Sequence, residues 1–335
     1  MYPHLKSLLL ALHLLPTSPW EPPTLLSSLL TSPLQSLISL LYTRLLLPLR
    51  GHPFHPPPGR RPIRIVCLSD THGLTLPREK VPEGDVLVHC GDLTVDGGEE
   101  EVRSQVEWLG GFGHRWKVVV GGNHDGWLET VGDGMVGEKG EMGIGGWDWK
   151  GVEYLGGRAL EIEVEGGRRL NLYGWGGVPW IGEGHAMQYK PEEQAWKGRV
   201  PEETDVLITH TPPRHHLDLS LGCPSLLDEV WRVKPRLHVF GHVHHGHGRE
   251  AVYYDECQRA YEALMSMPAR GPLYDLLPGV RWVAAFNVLR YGVGSILWKW
   301  LMLGPGTNNG GLMVNASVMY GNTGVLGNPV TVVDL

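Results

Sequence analysis

A recurring layout constrains the fold of this chain more than any other feature: short apolar runs, each followed at once by polar residues and a turn. Six such runs lie between residues 62 and 250, namely Ile63–Leu68, Val86–His89, Lys117–Val120, Leu170–Tyr173, Val206–Thr209 and Leu237–Phe240. Their length and their β-branched or leucine-rich content predict strands. Between the second and third runs, Glu99–Leu109 has Val102, Val106 and Leu109 at the spacing of one helix face. Repeated strands that end in polar clusters bring those clusters to one edge of a sheet, which predicts an α/β fold.

Composition excludes several classes of protein. With 335 residues, of which 42% are hydrophobic and 19% charged, the chain can build one large domain or two modest ones, and it is not a disordered chain. Its four cysteines are too few for a disulfide scaffold. Cys67, Cys90 and Cys223 are flanked by apolar or turn residues, which predicts reduced thiols and therefore a cytoplasmic protein.

Charge is distributed unevenly along the chain. The net charge is −7, but residues 1–69 hold six basic residues and one acidic residue, which gives +5 there and −12 in the remainder. Affinity for nucleic acid comes mostly from phosphate electrostatics, so an acidic body predicts no nucleic-acid partner. A basic, leucine-rich segment attached to an acidic body is better suited to a membrane surface.

Residues 1–61 form a leader rich in leucine, serine and proline. Its apolar stretches, Ser7–Leu15 and Leu34–Leu47, are shorter than the ~20 residues that a membrane-spanning helix needs. A secretory signal is disfavoured, because no small-residue cleavage site follows the first stretch. Two interpretations stay open for the leader: an amphipathic anchor that lies on a membrane surface, or a disordered segment.

The remaining residues, 62–335, are predicted to form one domain with an insertion at about 251–311. After the insertion, Leu312–Asn315 and Val330–Val333 have the character of closing strands. The domain would thus be completed by strands that follow the insertion, and no obligate protein partner is evident.

The most apolar part of the insertion is Val280–Leu303, which spans 24 residues and contains three basic ones, Arg281, Arg290 and Lys299. A helix turns by about half a circle over nine residues, so Arg290 would lie opposite the other two. A central arginine is costly in a bilayer, and Gly292 and Gly294 weaken one continuous helix. We therefore expect an interfacial hairpin or a hydrophobic cap. The leader and residues 280–303 are the two candidate membrane-surface contacts.

Five polar clusters follow the strand-like runs and offer carboxylate, imidazole and amide groups without cysteine. They are Asp70-Thr71-His72, Gly91-Asp92, Gly122-Asn123-His124-Asp125, His210 within ITHTPP, and Gly241-His242-Val243-His244. Such donors suit Mn²⁺, Fe, Zn²⁺ or Mg²⁺, and the absence of thiolates argues against a structural zinc site. The histidines outside this register are expected on the surface: His215, His216, His245 and His247.

The spacing within the clusters suggests how they could hold a metal. Two pairs of candidate ligands are separated by a single residue, namely Asp70 with His72 and His242 with His244. In extended chain, residues two apart point the same way, so each pair could bind from one side. Glycines within the clusters would let the backbone approach closely, at Gly91, Gly122 and Gly241.

Taken in order, SDTH, GD, GNHD, THTPP and GHVH resemble the motifs of the calcineurin-like metallophosphoesterase superfamily. The flanking text VLVHCGDLT, the run GCPSLLDEVWRVKPRLHVFGHVHHGHG and the late VNAS resemble most the metallophosphoesterase-domain-containing (MPPED) branch. The resemblance covers residues 62–250 and 312–335 but not the leader or the insertion. It implies a four-layer α/β/β/α sandwich of two mixed sheets, with metals at the strand ends.

The resemblance also implies a site for two divalent metal ions. It assigns Asp70, His72 and His244 to the first ion, Asn123, His210 and His242 to the second, and Asp92 to both as a bridge. Mn²⁺ is the expected metal, with Fe, Zn²⁺ or Mg²⁺ as alternatives.

The same resemblance implies roles beside the metals. His124 would be the catalytic residue, contacting the transferring phosphoryl group or protonating the leaving oxygen, and Asn123 would bind substrate with it. In protein-phosphatase members an acidic residue lies three places after the GD aspartate. Val95 occupies that position in this chain, so His124 is assigned no partner.

The function implied is metal-dependent hydrolysis of phosphodiester or small phosphomonoester bonds, by direct attack of a hydroxide held by both metals. Two alternatives stay open. The apolar leader and insertion could bring the same centre to a phospholipid headgroup or lipid pyrophosphate at a membrane surface. The chain could instead be a non-catalytic regulatory module that keeps the same fold and metal-binding residues.

Overall fold

The computed structural model describes residues 3–56, 59–131, 147–190, 192–302 and 310–335. The strands are β1 (Arg64–Leu68), β2 (Val86–Cys90), β3 (Trp116–Val120), β4 (Val152–Tyr154), β5 (Arg158–Val164), β6 (Arg168–Trp175), β7 (Val178–Pro179), β8 (Gln188–Tyr189), β9 (Val206–Thr209), β10 (Leu237–Phe240), β11 (Gly248–Val252), β12 (Gly311–Asn315) and β13 (Thr331–Asp334). The α-helices are α1 (Pro3–Ala11), α2 (Leu25–Thr31), α3 (Pro33–Leu41), α4 (Leu47–Arg50), α5 (Glu99–Gly110), α6 (Gly126–Val131), α7 (Pro224–Val233), α8 (Glu256–Met265), α9 (Pro272–Asp275) and α10 (Val280–Leu301). A π-helical turn, Tyr42–Leu46, joins α3 to α4.

The chain divides into two compact units. The sheet unit comprises residues 56–218, 222–249 and 313–335, and the helical unit comprises residues 1–55, 219–221 and 250–312. The chain passes from the first to the second within β11 and returns within β12. The segments predicted as leader and insertion therefore fall together in the helical unit.

Two large mixed sheets organise the sheet unit. One has the order β13-β1-β2-β3-β4, in which β13 alone is antiparallel to its neighbour. The other has the order β11-β12-β10-β9-β6-β5, with β6, β9 and β10 parallel and β5 antiparallel to β6. Strands β2 and β3 contact β9 and β6 across the two sheets. The prediction of an α/β fold with two mixed sheets is confirmed.

Helix α5 covers the first sheet with the face that the sequence predicts. Val102, Val106 and Leu109 are buried in one core with strand residues such as Leu68 and Leu87. All six apolar runs named above are strands, and the two closing strands appear as β12 and β13. Because the apolar core lies between α5 and the sheet, the polar side chains of this region lie in the loops at the strand ends.

In the helical unit, the leader and the insertion share one core. Leu34, Ile38 and Tyr42 pack in the same buried cluster as Tyr261 and Val288. The ring of Tyr42 stacks on that of Tyr261, with centroids 4.0 Å apart. The insertion thus supplies the apolar surface that the short helices of the leader need to be stable.

A buried polar network also joins these two segments. The Asp275 carboxylate accepts hydrogen bonds from the Ser32 hydroxyl at 2.7 Å and from the Leu34 N–H at 3.0 Å. Its other oxygen pairs with the Arg281 guanidinium, which also donates to the Pro268 carbonyl. The network satisfies both buried charges and ties the start of α3 to α9 and α10.

Helix α10 corrects the expectation of an interrupted or hairpin segment, since it is one continuous helix of 22 residues. A Cβ added at Gly292 would lie 2.6 Å from Leu46 Cδ1, so glycine here permits close helix packing and does not break the helix. As expected from the spacing, Arg281 is buried while Arg290 is exposed. Within the described ranges, none of the helices has both the length and the apolar character that crossing a membrane requires.

The buried ion pair generates a stability prediction. Arg281→Ala should lower the free energy of unfolding by about 3–5 kcal/mol, because it leaves the buried Asp275 charge without a counterion. Arg290→Ala removes the same group from an exposed position of the same helix and should change stability by about 0.5 kcal/mol or less. Urea unfolding followed by circular dichroism measures both, and equal effects would contradict a role for the buried pair.

Candidate metal centre

The polar clusters lie where parallel strands end. Asp70 and His72 follow β1, Asp92 follows β2, and Asn123 follows β3. Because these three strands are parallel neighbours, their carboxyl ends lie at one edge of the first sheet. The parallel pair β9 and β10 supplies the remaining three ligand candidates, which are His210, His242 and His244.

Asp70, His72 and His244 form the first group. Their candidate ligand atoms all lie within 4.8 Å of one another. His244 Nε2 is 3.5 Å from Asp70 Oδ1 and 3.3 Å from His72 Nε2. One carboxylate and two imidazoles converging in this way form a set that suits a divalent cation.

Asp92, His210 and His242 form the second group, and they are buried. His210 Nε2 lies 3.3 Å from Asp92 Oδ1 and 3.2 Å from Asn123 Oδ1. The amide oxygen of Asn123 therefore faces the same point as the imidazoles. This is the set that the resemblance implies for the second ion.

The two oxygens of Asp92 face different groups. Oδ1 is 3.3 Å from His210 Nε2 in the second group, and Oδ2 is 3.7 Å from His72 Nε2 in the first. The structure thus brings all seven predicted ligands together, with this carboxylate between the two sets. A bridging carboxylate requires this arrangement.

The backbone at four of the predicted ligand positions has positive φ. The values are 57° at Asp70, 43° at His72, 53° at Asp92 and 67° at His242. The left-handed region is uncommon for residues other than glycine, and such conformations concentrate at functional sites. We expected each of the pairs Asp70–His72 and His242–His244 to lie in extended chain, with both side chains on one side. That expectation is wrong, since tight turns direct these side chains inward.

Glycines keep the loops close to the ligands, as predicted. A Cβ at Gly241 would lie 2.3 Å from Asp70 Oδ2, and one at Gly122 would lie 2.3 Å from Asp92 Oδ1. At Gly91, which has a φ of 91°, a Cβ would meet the Gly121 carbonyl oxygen at 2.4 Å. No other residue fits these positions without moving a ligand or the backbone.

Hydrogen bonds orient two of the imidazoles. His210 Nδ1 donates to the Cys90 carbonyl and His244 Nδ1 donates to the Gly321 carbonyl, each at 2.7 Å. Since a carbonyl only accepts, the hydrogen lies on Nδ1 and leaves Nε2 facing the site. Such partners fix the tautomer of metal-binding histidines.

Burial and opposite charge shape the ionisation of these groups. Burial alone would raise the pKa of Asp92, but the neighbouring histidines, His210 foremost among them, together outweigh it and hold that pKa well below its usual range. Burial opposes protonation of His210 in turn, yet Asp92 raises its pKa to about 9. At His242 burial outweighs the nearby carboxylates and lowers the pKa to about 3. The protein therefore places ionised carboxylates beside imidazoles in a buried pocket, where a cation would take the place of protons.

His124 has a partner that the sequence did not supply. Its Nδ1 donates to the Val95 carbonyl at 2.9 Å, and its backbone N–H donates to Asp92 Oδ1 at 3.0 Å. The Val95 loop is fixed by the Glu101 carboxylate, which accepts the N–H groups of three successive residues, Val95, Asp96 and Gly97. A main-chain carbonyl thus occupies the position for which the sequence offered no acidic residue.

Sequence reasoning missed other contributors to the site. The Asp125 carboxylate accepts the Gly122 N–H at 2.8 Å and the Thr94 N–H at 2.9 Å, and burial raises its pKa to about 6. The Asn315 amide donates to the Val243 carbonyl at 2.9 Å and so supports the loop between two ligands. Asp125 lies in the motif GNHD and Asn315 lies in the motif VNAS. Their presence in these motifs was the sequence signal that could have identified them.

His185 had no sequence signal, because it lies in a glycine-rich loop between β7 and β8. Its Nδ1 is 3.3 Å from Asn123 Nδ2, and its ring centroid is 5.5 Å from that of His124. His216, which was expected on the surface, is fully buried. The turn that follows THTPP folds it inward.

The family model of the calcineurin-like phosphoesterases matches residues 63–246, more than half of the chain. The chain belongs to the calcineurin-like phosphoesterase family. The resemblance to the MPPED branch is confirmed too: metallophosphoesterase domain-containing protein 1 of Homo sapiens is 36% identical over 219 residues, or 59% of this chain and 64% of that protein.

Further relatives extend the comparison. UPF0046 protein K07C11.7 of Caenorhabditis elegans is 36% identical over 203 residues, or 58% of this chain and 67% of that protein. Probable rhamnogalacturonate lyase C of Emericella nidulans is 41% identical over 212 residues, or 62% of this chain and 20% of that protein. The chain thus matches at most about two thirds of the length of these curated relatives. Among solved structures, TT1561 of Thermus thermophilus has a TM-score of 0.38 at 13% identity, over 58% of this chain and 85% of that one.

The close approach of Gly122 to Asp92 should matter for metal affinity. Gly122→Ala should weaken Mn²⁺ binding by about 10–100-fold, because the new Cβ must displace Asp92. Gly113→Ala is the matched control, since its Cβ would meet nothing within 4 Å. Calorimetric titration of chelator-treated protein with Mn²⁺ measures both affinities. An unchanged affinity in Gly122→Ala would mean that this close approach does not shape the site.

Proposed function

We propose that the chain is a hydrolase that cleaves phosphodiester or small phosphomonoester bonds with the help of two divalent cations. The observation that carries the proposal is the position of Asp92, whose two oxygens face two separate groups of histidines. Membership of the calcineurin-like phosphoesterases supports the reaction class.

The donor set fits two cations. Asp70, His72 and His244 would hold one ion, and Asn123, His210 and His242 would hold the other, with Asp92 shared between them. Oxygen and imidazole donors without thiolate suit Mn²⁺, with Fe, Zn²⁺ or Mg²⁺ as alternatives. When bound, such a pair activates water and polarises the phosphoryl oxygens.

His124 acts on the substrate side of this centre. Because Nδ1 keeps its hydrogen on the Val95 carbonyl, only Nε2 can face a phosphoryl group. Proton donation to the leaving oxygen therefore requires the doubly protonated ring, with the transferred proton on Nε2. Asn123 and His185, which are in contact with each other, would orient the substrate.

The surroundings favour a small substrate in the cytoplasm. The sheet unit holds 21 Lys and Arg residues against 30 Asp and Glu, which disfavours long nucleic acid. The four cysteines are buried free thiols, consistent with a reducing compartment.

Restoration of activity tests the proposal. Chelator-treated protein is assayed on bis-p-nitrophenyl phosphate and p-nitrophenyl phosphate, with and without Mn²⁺, and the ratio of the two rates assigns the diester or monoester class. Protein that binds two ions per chain but hydrolyses neither ester would favour a regulatory module. Protein that binds no metal would contradict the proposal.

Asp92→Asn should abolish Mn²⁺-dependent turnover and the binding of at least one ion, because a neutral amide cannot bridge two cations as a carboxylate does. Asp96→Asn makes the same change at an exposed carboxylate on the neighbouring loop, and it should keep wild-type kcat. Metal content and turnover are measured on the same samples. Full activity in Asp92→Asn would refute the assignment.

His124→Asn should lower kcat by about 10²–10⁴-fold while two metal ions per chain are retained, because the ring acts on the reacting group and not as a required ligand. His13→Asn, at an exposed position of the leader, is the control. Loss of a metal ion in His124→Asn would instead make this residue a ligand.

A further inference from the structure

The helical unit presents an apolar surface that its own core does not use. Residues of α10 alternate between the two sides: Ala284, Ala285, Val288 and Gly292 are buried, while the exposed apolar face consists of Val280, Val283, Phe286, Val293, Leu297 and Leu301. At 100° per residue, this exposed face covers an arc of about 140° along a helix about 33 Å long. Each of its residues is close to half exposed or more, and Leu301 is 75% exposed.

Tryptophans lie at both ends of the exposed apolar face. Trp282 is near the start of α10, and Trp298 and Trp300 are near its end, all of them exposed. The Trp282 indole N–H donates to the Asp275 carbonyl at 2.8 Å, which fixes the segment carrying the exposed Leu276 and Leu277 beside the helix start. Tryptophan and tyrosine are enriched where protein meets the lipid headgroup region.

The charges of the same unit favour an anionic surface. The exposed apolar face contains one charged residue, Arg290, at its centre, and α10 has no acidic residue. Most acidic side chains of the unit are paired or buried. Asp255 pairs with Arg50, and the buried ones are Glu250, Glu262 and Asp275. By contrast, the unit exposes four basic side chains, which are Arg44, Arg259, Arg270 and Arg290. Among its described side chains, the acidic residue that is exposed is Glu256. Across the chain, this unit has eight basic residues and six acidic ones, while the remainder is acidic.

We propose that the helical unit binds peripherally to a membrane surface that contains anionic lipid, with α10 lying in the headgroup region on its exposed apolar face. The buried side of α10 stays on the protein core, and the opposite side enters the lipid interface. A helix with an apolar face, interfacial tryptophan and arginine that can extend to the phosphates matches this mode of binding. The inference is independent of the proposed phosphoesterase activity.

Vesicle binding by the full chain tests it without any substrate. The protein should sediment with vesicles of phosphatidylcholine and phosphatidylserine, more weakly with phosphatidylcholine alone, and less at high salt. Lipids brominated on the acyl chains should quench tryptophan fluorescence, because three of the tryptophans lie on the inserted side. An absence of binding to both vesicle types would overturn the proposal.

Charge introduced on the exposed apolar face should prevent insertion. Phe286→Glu/Leu297→Glu should weaken vesicle binding by about tenfold or more, and Arg290→Glu should weaken binding to anionic vesicles by about fivefold. Val325→Glu is the matched control, because Val325 is 59% exposed in the sheet unit and Phe286 is 62% exposed. Unchanged binding in the face variants, or an equal loss in the control, would overturn the assignment.

A second copy of the chain is the competing occupant of this face. Light scattering coupled to gel filtration separates the two cases. A dimer that Phe286→Glu/Leu297→Glu converts to monomer, together with no vesicle binding, would overturn the membrane proposal. A protein that is monomeric and binds vesicles, and whose face variants no longer bind them, supports the membrane proposal.

Discussion

The buried Asp92 carboxylate is the interaction on which the rest of the candidate site depends. It lies between His72 and His210, and its Oδ1 also accepts the His124 backbone N–H. Burying a carboxylate is costly unless cations or donors surround it. The neighbouring histidines, His210 foremost among them, hold the pKa of Asp92 low despite burial, so the pocket favours positive charge. Protons can supply that charge, but two cations would satisfy more of the converging oxygen and nitrogen atoms.

The loops that carry these atoms have strained backbone conformations, which other contacts stabilise. Asp70, His72, Asp92 and His242 have left-handed backbone conformations, which typically cost about 1–3 kcal/mol each. The Asp125 carboxylate and the Asn315 amide oppose that cost by hydrogen bonding to backbone groups next to the ligands. Glycines remove the Cβ atoms that would separate the loops. These contacts support the loops that bring the candidate ligands together.

The sequence predicted those parts of the molecule that depend on local pattern and residue type. Apolar runs identified the central strands, and the resemblance of the motifs named the seven side chains that the structure brings together. It missed β5, because Glu161 and Glu163 alternate with buried Ile162 and Val164 in a strand that is not apolar overall. It misread the pairs Asp70–His72 and His242–His244, because positive φ is not visible in residue spacing. It also missed what only tertiary contact creates: the shared core of leader and insertion, the Val95 carbonyl on His124, and the position of His185.

The number of metal ions and their separation test the central claim most directly. Chelator-treated protein is titrated with Mn²⁺ and followed by electron paramagnetic resonance. Two ions bridged by Asp92 would lie about 3.5–4 Å apart, so the account predicts saturation at two equivalents with the spectrum of an exchange-coupled pair. Saturation at one equivalent, or two ions that remain magnetically isolated, would contradict the bridging role of Asp92 and with it the two-metal site.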